Sequence, residues 1–480
     1  MVSIFTCEGV FMKFSSPLRI ISAALIAVLV AVPSILAGEG GITPEMLGKI
    51  RESFKMDTHN RAMYNAITNT DINNLALNRD ILRQQSDVFS HKVKTKGITN
   101  QKSSGRCWLF AGLNALRPAV IEKYKLSGFE FSQSFLAFWD KLEKSNCFLE
   151  NMVKFRDREQ SDRELEILLR DPVGDGGWWK YVVDLVEKYG VVPKEIMPET
   201  NSSENTGSLN NLVNQKLRAD AARIRKMCKE GKSLGDIAAA KETMLAEIYK
   251  MLVINYGEPP FEFHYRFEDK DSIVSALRTY TPQSFFKDFV GVDLNQYVSI
   301  FNNPSKEFGK HYSVNLSRNI FDADDMHYAN VEIEKLKEMA MKSVLADEPV
   351  WFACDVGIDQ NRDRGIMATD LYDYSSIYNI DMSLSKADRI RYLETTSNHA
   401  MVFVGVDVKD DKPVKWLVEN SWGSENKSAG YWTMYDNWFD ENLFNIIIKK
   451  DFVPKEILKI YDQTPVVVPA WDPMFMIYHQ

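Results

Sequence analysis

The sequence predicts an α+β protein of two lobes, a mainly helical one followed by a β-rich one. Three observations carry that prediction. From Cys107 to Tyr256 apolar residues recur at helical spacing, interrupted by Gly-containing loops. After Glu348 the texture changes to short apolar or alternating segments, PVWFACDVG, NHAMVFVGVDV, KPVKWLVENSW and LFNIIIKK, which read as strands. The 480 residues, 45% hydrophobic and 26% charged, supply a sizeable core and are unlike a disordered chain. At roughly 100–200 residues per domain, that length allows two or three domains or one catalytic unit with insertions.

Taken in order, residues 1–37 have the make-up of a signal peptide. Lys13 and Arg19 precede the apolar run IISAALIAVLVAVPSILA, which ends on the small residue Ala37. An uncleaved anchor is the other reading, but Pro33 and Ser34 favour cleavage. The expected protein is secreted or periplasmic, with no stable membrane association once the peptide is removed. Residues 38–87 read as a polar N-terminal arm, in which Thr43 caps a short helix begun by Pro44. Residues 88–200 read as the helical lobe. A basic extended stretch and the loop NQKSSGRC lead into the helix CWLFAGLNALRPAVIEKYKL, where Pro118 is expected to kink the path. The Gly-rich loop PVGDGG at 172–177 then precedes a helix that Gly190 closes. Residues 201–346 read as a mainly helical insertion opened by an αα-hairpin over 209–256, after which aromatics, short strands and a charged helix from Val331 follow, and residues 347–464 as the β-rich lobe. The end of the chain, 465–480, has three prolines among apolar residues and reads as an extended arm.

Charge and cysteine usage exclude several function classes. The formal charge is −8, from 58 basic and 66 acidic residues, so the average field repels polyanions and no nucleic-acid partner is expected. Cys7, Cys107, Cys147, Cys228 and Cys354 lie too far apart for a CxxC metal or redox site, and no metal, cofactor or disulfide framework is expected.

Cys107 is the candidate nucleophile. It begins an apolar helix after a Gly-containing turn, where unpaired N–H groups and the helix dipole favour a thiolate. Arg106 beside it adds positive potential or is a solvated surface residue. The other cysteines lie within apolar or amphipathic segments and read as small buried hydrophobes. A thiol nucleophile needs a base, and His399 heads the strand HAMVFVGV, from which a side chain can project into a cleft. Asn420, ending the strand WLVEN, can orient the imidazole through its amide oxygen without adding charge. Gln101, six residues before Cys107, can join the Cys107 N–H in an oxyanion hole. Trp422 can roof the Asn–His hydrogen bond, or simply be a core tryptophan.

Together Q-x5-C-W, N-H-A and N-S-W-G, in that order, resemble the papain-like cysteine peptidases. In papain-like enzymes the His follows the Cys by ~130–150 residues; here the separation is 292, so extra chain lies between them. NQKSSGRCWLFAGLN, DGGWWKYVVDLVEKYGVVPKEIMPE, PVWFACDVG, VENSWG and PAWDPM closely resemble the bleomycin hydrolase and aminopeptidase C branch. The resemblance implies a papain-like two-lobed fold with large helical insertions and the active site in the cleft between lobes. It implies a cysteine aminopeptidase acting through a thioester on peptide substrates with a free N-terminus. It also implies a homo-oligomer, commonly a hexamer. Gly176 and Gly177 match the segment that pairs with substrate backbone. In this branch a C-terminal arm lies in the cleft and its carboxylate, here on Gln480, meets the substrate amino group. The ending FMIYHQ is bulkier than the branch's short ending, and Asn398 stands before the His where the branch usually has Thr. Two rival readings stay open: an acyltransferase on the same fold, and a secreted non-catalytic protein blocked by its own arm.

Overall fold

The computed structural model describes residues 40–425 and 428–475. The expected signal peptide, Cys7 and Gln480 lie outside the described residues. The chain divides into one compact unit ending at Leu75 and a second starting at Ala76. In the first, helices span Pro44–Ser53 and Thr58–Ile67. Thr43 Oγ1 accepts from Met46 N at 3.1 Å and Pro44 takes the first helical position, whose N–H would be unbonded anyway. Neither helix has a buried residue, in keeping with their polar sequences. The stretch expected to run as an arm to residue 87 therefore ends earlier: from Ala76 onward the chain bonds into the larger unit, with Asn78 N on Leu371 O and Asp373 N on Ala76 O.

The larger unit contains α1 (Cys107–Lys123), α2 (Gln133–Lys154), α3 (Arg163–Arg170), α4 (Trp179–Tyr189), α5 (Gly207–Lys229) and α6 (Leu234–Tyr256). Helix α1 is buried on nearly every side from Trp108 to Ile121, as its almost uniformly apolar sequence requires. It continues through Pro118, which withholds one N–H from the ladder without ending the helix. In the α5–α6 hairpin, Leu209, Val213, Leu217 and Ile224 face Ile237, Met244, Ile248 and Leu252, and both helices pack on α2.

The expected helical insertion is helical only in part. After Tyr256 come a short hairpin, Phe263–Tyr265 with Arg278–Tyr280, and a π-helical segment, Phe285–Val290. Strands β2 (Tyr297–Phe301), β3 (Lys310–Val314) and β4 (His327–Asn330) follow, then α7 (Ile333–Leu345). These short aromatic and β-branched strands join one large sheet with β5 (Val350–Cys354), β6 (His399–Lys409), β7 (Lys412–Glu419), β8 (Tyr431–Tyr435), β9 (Leu443–Lys449) and β10 (Val466–Val468). The order β10-β3-β4-β2-β9-β5-β6-β7-β8 is extended by two short strands beyond β8, and β1 (His91–Lys92) pairs with β6. Strand β6 is the central one for function. It is buried through Val406 because α1 and α7 both pack on it, and its register places His399 opposite Cys354.

Candidate active site

Two segments 320 residues apart are clipped together beside the nucleophile. Gln101 N donates to Ser421 O at 2.8 Å and Gly423 N to Thr99 O at 3.1 Å, around an Asn100–Trp422 bridge. Gly423 has φ +77°, and a Cβ there would meet Asn100 Nδ2 at 2.6 Å, so this close approach requires glycine. The clip fixes Gln101 as well: its Oε1 accepts from Ser421 Oγ at 2.7 Å and its Nε2 donates to Ser104 O at 2.6 Å. One N–H of the amide is thus engaged and a second remains, on a residue that lines the same cavity as Cys107.

Cys107 and His399 share that cavity, about 580 Å³, with Gln101, Trp108, Gly176 and Gly177. The Asn420 oxygen decides the histidine tautomer. It accepts from Ser421 N at 2.7 Å, which identifies the atom as oxygen, and it lies 2.9 Å from His399 Nε2. Nε2 must therefore carry the proton, leaving the Nδ1 lone pair free for base chemistry. Trp422 covers the imidazole with ring centroids 4.7 Å apart, and Trp432 meets Trp422 edge-on at 5.5 Å, so a two-ring apolar wall backs the histidine.

Burial dominates the electrostatics. It pushes the Cys107 thiol up to about 11, although the N–H groups of Ala400, Trp108 and Cys107 itself pull the other way. It also pulls the His399 imidazole down to about 4, against the hydrogen bond to Asn420. The N–H groups at the helix N-terminus lower the thiol, as the sequence leads one to expect, but loss of water outweighs them. Arg106 is neither solvated nor a free positive charge: it is 2% exposed and its Nη2 sits 2.9 Å from Glu199 Oε2. Cys107, Cys147, Cys228 and Cys354 are all free thiols.

The glycine loop is built around Asp175, whose importance the sequence did not reveal. Its carboxylate accepts from Lys141 Nζ at 2.6 Å, Gly105 N at 2.9 Å, Asn210 Nδ2 at 2.9 Å and Thr206 Oγ1. Burial alone would raise its pKa, but the Lys141 ammonium and these donors hold the carboxyl well below the usual range. Asp175 O also accepts from Trp108 Nε1 at 2.7 Å, tying loop to nucleophile helix. A Cβ on Gly177 would lie 2.5 Å from the Trp108 ring, so this glycine is dictated by packing. Lys144 Nζ holds the carbonyls of Gly174 and Gly176 at 2.9 and 2.7 Å. The only signal in the sequence was an acidic residue between glycines.

Asn398 also acquires a definite task. Its Nδ2 donates to Asp355 Oδ1 at 2.7 Å and Thr395 Oγ1 donates to Asp355 Oδ2 at 2.8 Å, clamping the loop that delivers His399. The C-terminal arm arrives at this same loop. After β10, Asp472 pairs with Lys306 at 2.5 Å, and Thr396 Oγ1 donates to Pro473 O at 3.1 Å. Phe475 packs on Trp178 with centroids 5.5 Å apart, and Trp178 lines the catalytic cavity. A second cavity, about 290 Å³, is lined by Ala470 and Phe475 of the arm and shares Arg170, Asp171, Gly174 and Gly176 with the first. Among the described residues no cluster of His, Cys, Asp or Glu could hold a metal ion.

A family model for the Peptidase C1-like family matches residues 41–475. The chain belongs to that family. Within it, the aminopeptidase C of Streptococcus thermophilus is 41% identical over 431 residues, covering 88% of this chain and 97% of its own. The bleomycin hydrolase of Rattus norvegicus is 35% identical over 446 residues, covering 90% and 98% respectively. Among solved structures, PepW from Lactobacillus rhamnosis HN001 superposes with a TM-score of 0.88 at 39% identity, over 91% of this chain and 99% of that one.

Proposed function

We propose that this family member is a cysteine aminopeptidase with Cys107 as nucleophile, His399 as base and acid, Asn420 as orienter and Gln101 as oxyanion donor. The observation that carries the assignment is one cavity holding Cys107, Gln101 and a His399 whose Nε2–H is fixed on Asn420. Because burial keeps thiol and imidazole neutral when each stands alone, the reactive ion pair forms by proton transfer from Sγ to Nδ1, each charge then compensating the other. The thiolate attacks the scissile carbonyl, and the Gln101 amide and Cys107 N–H receive the developing oxyanion. His399 returns its proton to the leaving amine, then takes one from the water that hydrolyses the thioester.

The arm supports the choice of aminopeptidase. The catalytic cavity shares Arg170, Asp171, Gly174 and Gly176 with the cavity that the arm lines, so substrate chain that continues past these residues on the N-terminal side meets Ala470 and Phe475. Two comparisons test the proposal. Cys107→Ala is expected to abolish hydrolysis of an aminoacyl-arylamide, and retained activity would sink the nucleophile assignment. A peptide with a free N-terminus is expected to be cleaved and its N-acetylated form spared; equal rates would refute the aminopeptidase reading. Export rests on the apolar run 20–37 behind Lys13 and Arg19, and is tested by N-terminal sequencing of the protein from fractionated cells. Assembly into a homohexamer rests on the family resemblance alone, and sedimentation velocity tests it.

A further inference from the structure

A buried ion pair outside the catalytic cavity joins the two elements whose relative position matters most. Arg117 lies on α1, ten residues after Cys107. Glu419 is the last residue of β7, directly before Asn420. Arg117 Nη2 donates to Glu419 Oε1 at 2.6 Å and to Gly97 O at 2.9 Å, with side chains 3% and 1% exposed. Arg117 Nε has no hydrogen-bond partner among the described residues. An imperfectly satisfied buried pair is poor value for stability, since an apolar pair of the same shape would serve as well or better. Its geometry has a different use. The pair spans 302 residues of chain and connects the nucleophile helix to the strand end that carries the imidazole's orienter.

We propose that Arg117 and Glu419 are positioning residues for catalysis: the ionised pair holds α1 against the end of β7, and protonation of Glu419 releases that hold. The inference rests on the assignment of Cys107, His399 and Asn420 above. The groups facing Glu419 are few. Arg117 on α1 favours its charge, as does the Thr95 hydroxyl. Glu130, on the loop before α2, opposes it, and Tyr431 at the start of β8 lies close enough to feel it. Burial outweighs them and raises the Glu419 carboxyl to about 7, with Arg117 pulling it back. That window is separate from those of His399, near 4, and Cys107, near 11.

Stability and activity then respond to pH in opposite directions. A carboxyl raised on folding contributes stability that is complete below its unfolded pKa and is lost as pH rises through the folded value. Stability from Glu419 therefore falls between the ordinary glutamate range and about 7, while the ionised, active geometry appears over the same window. A purely structural ion pair would give no such opposition.

The test compares wild type, Glu419→Gln and Cys107→Ala, measuring kcat/KM on an aminoacyl-arylamide from pH 5 to 9 and Tm at pH 5 and 8. Wild type is expected to lose about tenfold in kcat/KM one unit below the midpoint near 7. E419Q, which cannot ionise, is expected to lose less than twofold between pH 8 and 6 and to have a Tm less sensitive to pH. An acid limb unchanged in E419Q overturns the inference while leaving the catalytic assignment intact; residual hydrolysis in C107A overturns that assignment instead. Should E419Q not fold, Arg117→Lys keeps the charge but shortens the side chain whose Nη2 reaches both Glu419 and Gly97. It is expected to move the limb midpoint and lower kcat with KM within twofold, and an unmoved midpoint refutes the proposal.

Discussion

The Asn420 oxygen takes two donors, Ser421 N–H and His399 Nε2–H, and that double use makes the imidazole a base on one nitrogen only. Replacing Asn420 by Ala removes the acceptor, lets the ring rotate or switch tautomer, and is expected to lower kcat with little change in KM. Gln101 acts later in the reaction. Its Nε2 is held by Ser104 O and its Oε1 by Ser421, so the amide is pre-aimed before substrate arrives. Gln101→Ala is expected to cost about 10²–10³ in kcat, the usual loss for one oxyanion donor, and steady-state kinetics on a single substrate reads it. A comparable loss expressed only in KM would show that Gln101 binds the ground state instead.

At the scale of elements, the site depends on a short loop locked to a long helix. Asp175 gathers Lys141, Gly105, Asn210 and Thr206, and its carbonyl pins Trp108, so residues of three other segments meet at its loop. Asp175→Ala leaves the Lys141 ammonium, 2% exposed, without its counter-charge. A loss of about 3–5 kcal/mol is expected from denaturant melts. The pH dependence has a definite sign. The carboxyl is held below its ordinary value in the fold, so its stabilisation is present above the unfolded pKa and is lost as pH falls through the folded one. Wild type should lose stability on acidification below about pH 4 more steeply than Asp175→Asn. Gly177→Ala probes the same lock from the other side: its Cβ at 2.5 Å from a Trp108 ring pinned by Asp175 O is expected to cost about 1–3 kcal/mol. Helices such as α5 and α6 were legible because their apolar period is sustained over 23 residues each. Asp175 was not, because a carboxylate between glycines looks like a solvated turn until Lys141 is brought beneath it by α2. Short strands were expected between 257 and 346, but not that those between 297 and 330 join the large sheet. They are four or five residues long, and β2 is a strand chiefly because β9, more than 140 residues later, pairs with it.

Across the whole molecule the catalytic residues come from places that only the folded sheet reconciles: the loop before α1 that carries Gln101, the start of α1, the head of β6 and the residue after β7. The order Cys, His, Asn and the turns around them were readable because local chemistry dictates each one. What local chemistry does not contain is the course of the chain's end, which depends on β3 and on the loop before His399. The arm pairs in parallel with β3 through Val466–Val468, turns at Pro469, and is held by Asp472, 4% exposed, on Lys306 and on Met474 N. Thr396 then takes the carbonyls of Pro473 and Met474, and Met474 is fully buried. Asp472 is thus the last strong tether before the arm meets the cavity wall at Trp178. Asp472→Ala removes the arm's charge-assisted hydrogen bond and leaves it held by the Thr396 bonds and by the packing of Met474 and Phe475, so the arm is loosened while the contacts of Cys107 and His399 themselves are kept. The expected outcome is hydrolysis of N-acetylated peptides rising at least tenfold over wild type, while the alkylation rate of Cys107 stays within about twofold. Limited proteolysis should at the same time cut the chain after Val468. If the arm becomes cleavable and acetylated peptides are still refused, the barrier to longer substrates lies in the walls of the cleft at Arg170 and Asp171 and not in the arm.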